Sequence, residues 1–224
     1  LWEKVAERFG KYEDRLAFEL LNEVTDKSYC ELWNQIAENC IRRIRKIAPT
    51  IKILVGGYWN NSVDSVKDLA MPYDENIIYN FHCYEPLIFT HQGAPWIPTM
   101  DTSFRISIDA PYKEMDVAGE KMLQQVTTGF AGFSSDTTLS SAYFEKIFAE
   151  AIEVAEKRNV ALYCGEYGVI DRVDPVETVK WYAMINQVFR KYGIGRSAWN
   201  YKLMDFGIAD PRMDEVRQEL LTYL

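Results

Sequence analysis

Two glutamates and their neighbours carry the chemical signal. Leu162-Tyr163-Cys164-Gly165-Glu166-Tyr167-Gly168 is an apolar run ending in a carboxylate between two glycines. Leu16-Ala17-Phe18-Glu19-Leu20-Leu21-Asn22-Glu23 also ends in a glutamate. Two strands that each deliver a glutamate point to paired-carboxylate chemistry, in which one acid protonates a leaving group while the other attacks or activates water. Glu23 reads as a general acid with Asn22 placed to bond a substrate hydroxyl, or else as a carboxylate at a helix entry. Glu166 reads as a nucleophile or base, or else as a partner in a buried ion pair.

His82-Cys83-Tyr84 closes another apolar run. On a strand, His82 and Tyr84 share a face, where they could bond substrate and hold a carboxylate; a satisfied core histidine is the bland alternative. Trp199, in Ala198-Trp199-Asn200, reads as a stacking floor for a flat sugar face or as core packing. Trp59 and Trp96 fall in loops and lean towards substrate contact by the same logic. Rival chemistries lack their parts. His82 and His91 are the only histidines, too few at suitable spacing for a zinc site. No serine sits in a nucleophile elbow, and no phosphate loop or dinucleotide fingerprint is present. The reading calls for no cofactor and no metal.

The elements around these residues alternate. Trp2, Val5, Ala6 and Phe9 predict a helix over 2–9 stopped by Gly10. Strands are expected at Leu16–Glu23, Ile51–Gly57, Asn76–His82, Val160–Gly165 and Gly195–Tyr201. A helix from Tyr29 to Ala48 is expected to bury Tyr29, Leu32, Trp33, Ile36, Cys40, Ile44 and Ile47, with a capping box at Ser28 and Glu31. Ser62 to Leu69 reads as a short helix. Tyr84 to Leu139 reads as a long functional stretch with a small helix near Ala118 to Gln125. Ser141 to Arg158 is a helix. Asp174-Pro175 opens another, which Gly193 closes, and Asp214 to Tyr223 is the last. Strands alternating with helices imply a parallel sheet, and reactive residues just after several strand ends are the pattern of a barrel enzyme. An open doubly wound sheet would place ligands similarly.

Bulk properties narrow the function class. A chain of 224 residues with 48% hydrophobic and 26% charged residues is expected to form one globular domain over 1–224. A net charge of −8 opposes binding to a nucleic-acid backbone. The basic run Arg42-Arg43-Ile44-Arg45-Lys46 complements a helix dipole instead. No apolar run reaches the roughly 18 residues of a membrane helix. Tryptophan and tyrosine are abundant, at 6 and 14, as a sugar-lined cleft needs. Cys30 and Cys40 would lie about 15 Å apart on one helix, too far to bridge. Cys83 should face away from His82 and Cys164 should share the face of Glu166, so free thiols are expected. The start, Leu1-Trp2-Glu3, shows neither a charged n-region nor an apolar h-region.

At these residues the chain resembles glycoside hydrolase family 5, the cellulase-type retaining enzymes. The matching pieces are Leu16 to Glu23, Asn80-Phe81-His82-Cys83-Tyr84-Glu85-Pro86, Thr90-His91-Gln92-Gly93-Ala94-Pro95-Trp96, Gly165-Glu166-Tyr167-Gly168 and Ala198-Trp199, in order over about 200 residues. The resemblance implies an incomplete (β/α)8 TIM barrel whose five parallel strands correspond to strands four to eight. It implies Glu23 as acid/base after strand four, Glu166 as nucleophile at strand seven, His82 and Tyr84 at strand six and Trp199 at strand eight. It also implies a secreted protein acting on β-1,4-glucan by double displacement, with mannan or xylan as alternative substrates. Val24 stands where the family usually has proline, and strands one to three, with their arginine and histidine, have no counterpart. A catalytically silent glycan-binding remnant is therefore the rival reading. The open edges at Leu16–Glu23 and Gly195–Tyr201 are expected to drive association with another copy or an N-terminal segment.

Overall fold

The computed structural model describes residues 1–124 and 128–224. Five strands form one parallel sheet in the order β1-β2-β3-β4-β5: β1 Ala17–Glu19, β2 Lys52–Gly56, β3 Ile77–Cys83, β4 Ala161–Tyr167 and β5 Gly195–Arg196. The registers of β1 on β2 (Phe18 opposite Ile53) and β2 on β3 (Leu54 opposite Ile78) are both parallel. The chain divides into two compact units, Leu1–His82 with Phe148–Gly165, and Cys83–Ile147 with Glu166–Leu224.

In the first unit, α1 (Trp2–Phe9) leads into β1, and α2 (Cys30–Arg45) crosses to β2. Gly10 does not stop α1 in a left-handed turn. Its φ is −58° and the chain continues as a 3-10 turn, while an added Cβ would lie 2.6 Å from that of Ala48. Only Ala17–Glu19 of the expected first strand is laddered, so Asn22 and Glu23 sit in the loop beyond it. Asp26 caps the 3-10 turn Lys27–Tyr29 that leads into α2, accepting from the Ser28 N–H at 2.7 Å, and the expected capping box at Ser28 does not form, since α2 has no side-chain cap. The buried stripe of α2 is Trp33, Ala37, Ile41 and Ile44, while Leu32 and Ile36 stay 52% and 44% exposed. Apolar residues cover two adjacent faces of this helix. The Trp33 indole N–H, donating to the Gly56 carbonyl at 2.7 Å, fixes which one turns inward.

The expected helix at Ser62 to Leu69 is a 3-10 segment, Val63–Asp68. So short a crossover leaves a cavity of about 330 Å³ beside β2 and β3, lined among others by Ala37, Ile41, Val55, Met71, Tyr73 and Tyr79. Phe148 packs on Phe81 at a centroid distance of 5.2 Å. Arg158 donates to the Tyr79 hydroxyl and to the Leu69 carbonyl, closing the bottom of β3.

In the second unit the helix Pro175–Tyr192 buries Trp181, Tyr182, Ile185, Val188 and Phe189. Its ends follow the sequence. The Asp174 side chain accepts from the Val176 N–H at 2.8 Å with Pro175 in the first turn, and Gly193 takes a left-handed φ of 65°. Trp181 packs on Phe144, and Tyr167 on Phe189. Helix Tyr112–Leu123 replaces the small helix expected near Ala118, whose last residue, Gln125, lies outside the described residues. The expected fifth strand is laddered only at Gly195–Arg196. Trp199 still donates its backbone N–H to the Tyr167 carbonyl at 2.9 Å. The last helix is Arg217–Leu221. All four cysteines are free thiols, and Cys83 and Cys164 are both buried, as strands covered on both faces require. Among the described residues no helix is long and apolar enough to cross a membrane.

Candidate active site

In the first unit, Glu23 meets His82. The Nδ1 of His82 lies 2.9 Å from the Oε1 of Glu23, with the imidazole almost fully enclosed (3% exposed) and the carboxylate 28% exposed. The loop after β2 holds them from the other side. Trp59, Asn60 and Asn61 all have left-handed φ values, of 49°, 56° and 58°. Three such non-glycine residues in a row cost on the order of 1 kcal/mol each. Hydrogen bonds offset that strain. The Asn60 N–H donates to the Val24 carbonyl at 2.9 Å, and the Asn61 side-chain amide donates to the Asn22 carbonyl at 2.6 Å. The same amide nitrogen stands 3.4 Å from the Nε2 of His82. The turn thus grips the backbone on both sides of Glu23.

One layer deeper, the Asn80 amide donates to Glu19 at 2.7 Å and its oxygen accepts the Gly165 N–H at 2.9 Å. This polar bridge links β1, β3 and β4. It explains Gly165, since a Cβ there would lie 2.7 Å from the Asn80 oxygen.

In the second unit, the Tyr84 hydroxyl donates to the Oε2 of Glu166 at 2.8 Å. Tyr84 is fixed in turn. Its ring meets the edges of His91 and Phe206 at centroid distances of 5.3 and 5.5 Å, and the Thr90 hydroxyl donates to its carbonyl. The single Thr90 proton is used there, so His91, with Nδ1 3.0 Å from the Thr90 oxygen, must be the donor of that pair. Burial pushes the pKa of His91 down to about 4, so the ring is neutral at working pH. Trp96 extends this aromatic wall, 6.1 Å from His91 and 6.3 Å from Phe206, and keeps 48% of its surface exposed. Trp199 is half-buried. Its carbonyl stands against Gly168, where a Cβ would clash, so both glycines flanking Glu166 serve close approach.

The structure therefore groups Glu23 with His82 and the Asn22 backbone, and Glu166 with Tyr84. The Asn22 side chain is exposed, and Trp59 is 53% exposed with the Lys27 ammonium 5.5 Å from its ring. Sequence reasoning missed Asn61, Asn80, Glu19 and Phe206 as supports. Glu19 and Asn80 stand inside the quoted motifs, and Asn61 two residues after Trp59.

Comparison with known proteins shows the family to which the chain belongs. The cellulase family model, glycosyl hydrolase family 5, matches residues 1–204. Cellodextrinase A of Ruminococcus flavefaciens is 47% identical over 196 residues, 88% of this chain and 51% of that protein. Endoglucanase C of Acetivibrio thermocellus is 35% identical over 225 residues, all of this chain and 64% of that protein. The chain thus spans about half to two thirds of the length of these relatives. Among solved structures, a hyperthermophilic endo-β-1,4-glucanase in complex with substrate superposes with a TM-score of 0.76 at 25% identity, over 99% of this chain and 64% of that one. The cellulose synthase subunit Z of Clostridioides difficile gives 0.75 at 26% identity, over 100% and 65%. These neighbours are (β/α)8 barrels, so the expected incomplete TIM barrel is borne out. The matched residues span the strands, both glutamates and Trp199, and on that match the chain belongs to glycosyl hydrolase family 5.

Proposed function

We propose that the chain hydrolyses β-1,4-glucan with retention, as an endoglucanase-like glycoside hydrolase outside the cell. One observation carries the reading. β3 and the residue after it supply a hydrogen-bonding partner to each of two glutamates, His82 to Glu23 at 2.9 Å and Tyr84 to Glu166 at 2.8 Å. In this reading Glu166, ionised, attacks the anomeric carbon. Glu23, protonated, gives its proton to the departing glycosidic oxygen. Glu23 then takes a proton from water, which attacks the anomeric carbon and releases Glu166. The mechanism requires both carboxylates on one glycosidic bond, about 5–5.5 Å apart in a retaining enzyme. Tyr84 holds the nucleophile's rotamer, and His82 holds the acid. Trp96 and Trp199 offer aromatic faces to the sugar rings, with Trp59 and Asn22 as further contacts. The names of the relatives, a cellodextrinase and endoglucanases, support the substrate class.

The test is release of reducing sugar from soluble β-glucan, mannan and xylan by the wild type, Glu23→Gln and Glu166→Gln. Turnover on β-glucan that falls at least 10³-fold in either variant is expected, since each carboxylate acts in both chemical steps. Oligosaccharide binding without turnover in the wild type would overturn the reading in favour of a silent glycan-binding protein.

A further inference from the structure

We propose that Asn61 is a positioning residue that sets the tautomer of His82 and, through it, the orientation of Glu23. The inference rests on the hydrolase reading only for its kinetic consequence; its geometry is independent of it. Asn61 is 1% exposed. Its amide orientation is fixed by chemistry, because the Asn22 carbonyl 2.6 Å away can only accept, so the Asn61 atom facing it is the nitrogen. That nitrogen has one hydrogen left, and His82 Nε2 lies 3.4 Å from it. Two N–H groups cannot face each other, so Nε2 is the lone-pair side of the ring and the His82 proton sits on Nδ1. From there it is donated to the Oε1 of Glu23 at 2.9 Å. Glu23 is thereby held by a neutral donor on one oxygen, and its other oxygen carries and delivers the catalytic proton.

The surroundings are built for this contact. Gly56 has no side chain where Asn61 packs, and a Cβ there would overlap the Asn61 amide. The left-handed turn Trp59–Asn61 that presents Asn61 is itself tied to Val24, next to Glu23. The amide oxygen of Asn61 has no partner, although it is buried.

The experiment is nitrogen-15 NMR of the imidazoles. The chain has two histidines, and a His82→Gln control assigns them. The wild type is expected to show His82 protonated at Nδ1 and not at Nε2. Asn61→Ala is expected to mix the two tautomers, and to lower kcat about tenfold with KM within twofold. If Asn61→Ala does not fold, Asn61→Asp, of the same size without the donor, is read the same way. An Nε2–H tautomer in the wild type, or unchanged His82 signals in the folded variant, overturns the proposal. The expected tautomers with no turnover in the wild type would sustain it and sink the hydrolase reading instead.

Discussion

Replacing Tyr84 with phenylalanine separates the hydroxyl from the ring that carries it. The ring contacts with His91 and Phe206, at 5.3 and 5.5 Å, survive in Tyr84→Phe. The loss is one hydrogen bond of 2.8 Å to a carboxylate. Such charge-assisted bonds contribute about 1.5–3 kcal/mol. Glu166 is half-buried, so water replaces part of the donor in the resting protein. Folding stability should therefore fall by only about 1 kcal/mol, or about 2–4 °C in Tm for a domain of this size. In the proposed mechanism a Glu166 oxygen attacks; water cannot fix its rotamer, and misplaced reacting groups lose up to about 10²-fold in rate. The expected result is a 10- to 100-fold drop in kcat/KM on soluble β-glucan, equivalent to about 1.4–2.7 kcal/mol, with Tm lowered by no more than about 2–4 °C. Tyr84→Leu serves as the contrast, because it removes the ring and should lower Tm further. Turnover of Tyr84→Phe within threefold of wild type, in a protein of normal Tm, would refute the claim that Tyr84 orients the nucleophile.

Two further outcomes follow from the same geometry. Gly168→Ala forces a Cβ against the Trp199 carbonyl, a backbone atom that cannot swing aside. It should cost about 2 kcal/mol, a Tm drop of about 4–8 °C by calorimetry; an unchanged Tm would mean that the Gly168–Trp199 approach is not held. Asp74 is set below the ordinary carboxylate pKa of 3.8. Burial works to raise it, but hydrogen bonds from Arg45 and the Asn76 N–H, with the Arg45 charge, outweigh burial. A lowered folded-state pKa contributes stability that is present above 3.8 and lost as pH falls through the folded value. Asp74→Ala should therefore lose about 2–3 kcal/mol at pH 7, leaving the largely buried Arg45 unpaired. That deficit should narrow in denaturant melts below pH 4, and a pH-independent deficit would contradict the linkage.

Where the sequence spoke plainly, the signal was local. Ser141–Arg158 was bounded by its own periodicity, and Pro175–Tyr192 by Asp174, Pro175 and Gly193, whose caps form within one turn. His82 and Tyr84 at a strand end follow from the alternation of a strand. The misses have a different physical origin. An apolar run does not say where a ladder stops, so the sequence predicts a strand over Leu16–Glu23 where only Ala17–Glu19 is laddered. Helix α2 has more apolar surface than one face can bury, and only Trp33 reaching Gly56 across 23 positions chooses the face. Glu19 finds Asn80 across 61 positions, a pairing no local rule encodes.

Trp59-Asn60-Asn61 shows why the supporting residues of the site were hardest to see. Local rules expect glycine where φ is positive, and this turn has none, so it reads as ordinary loop. Its conformation is maintained from outside, by Val24 and Asn22 accepting its N–H groups. Those two residues flank Glu23. The grip runs both ways, because the contacts that keep the turn left-handed also fix the backbone that carries Glu23. A local rule broken without glycine, and compensated at the flanks of the proposed acid, marks a place where positioning outweighs local preference. Leu203-Met204-Asp205 is also left-handed without glycine. There the Asp210 carboxylate accepts the Leu203 N–H at 3.1 Å, and the Asp205 carbonyl accepts the Asp171 N–H at 2.6 Å, just ahead of Phe206 in the wall around Tyr84. In each unit, the strained turn lies beside the partner of a glutamate.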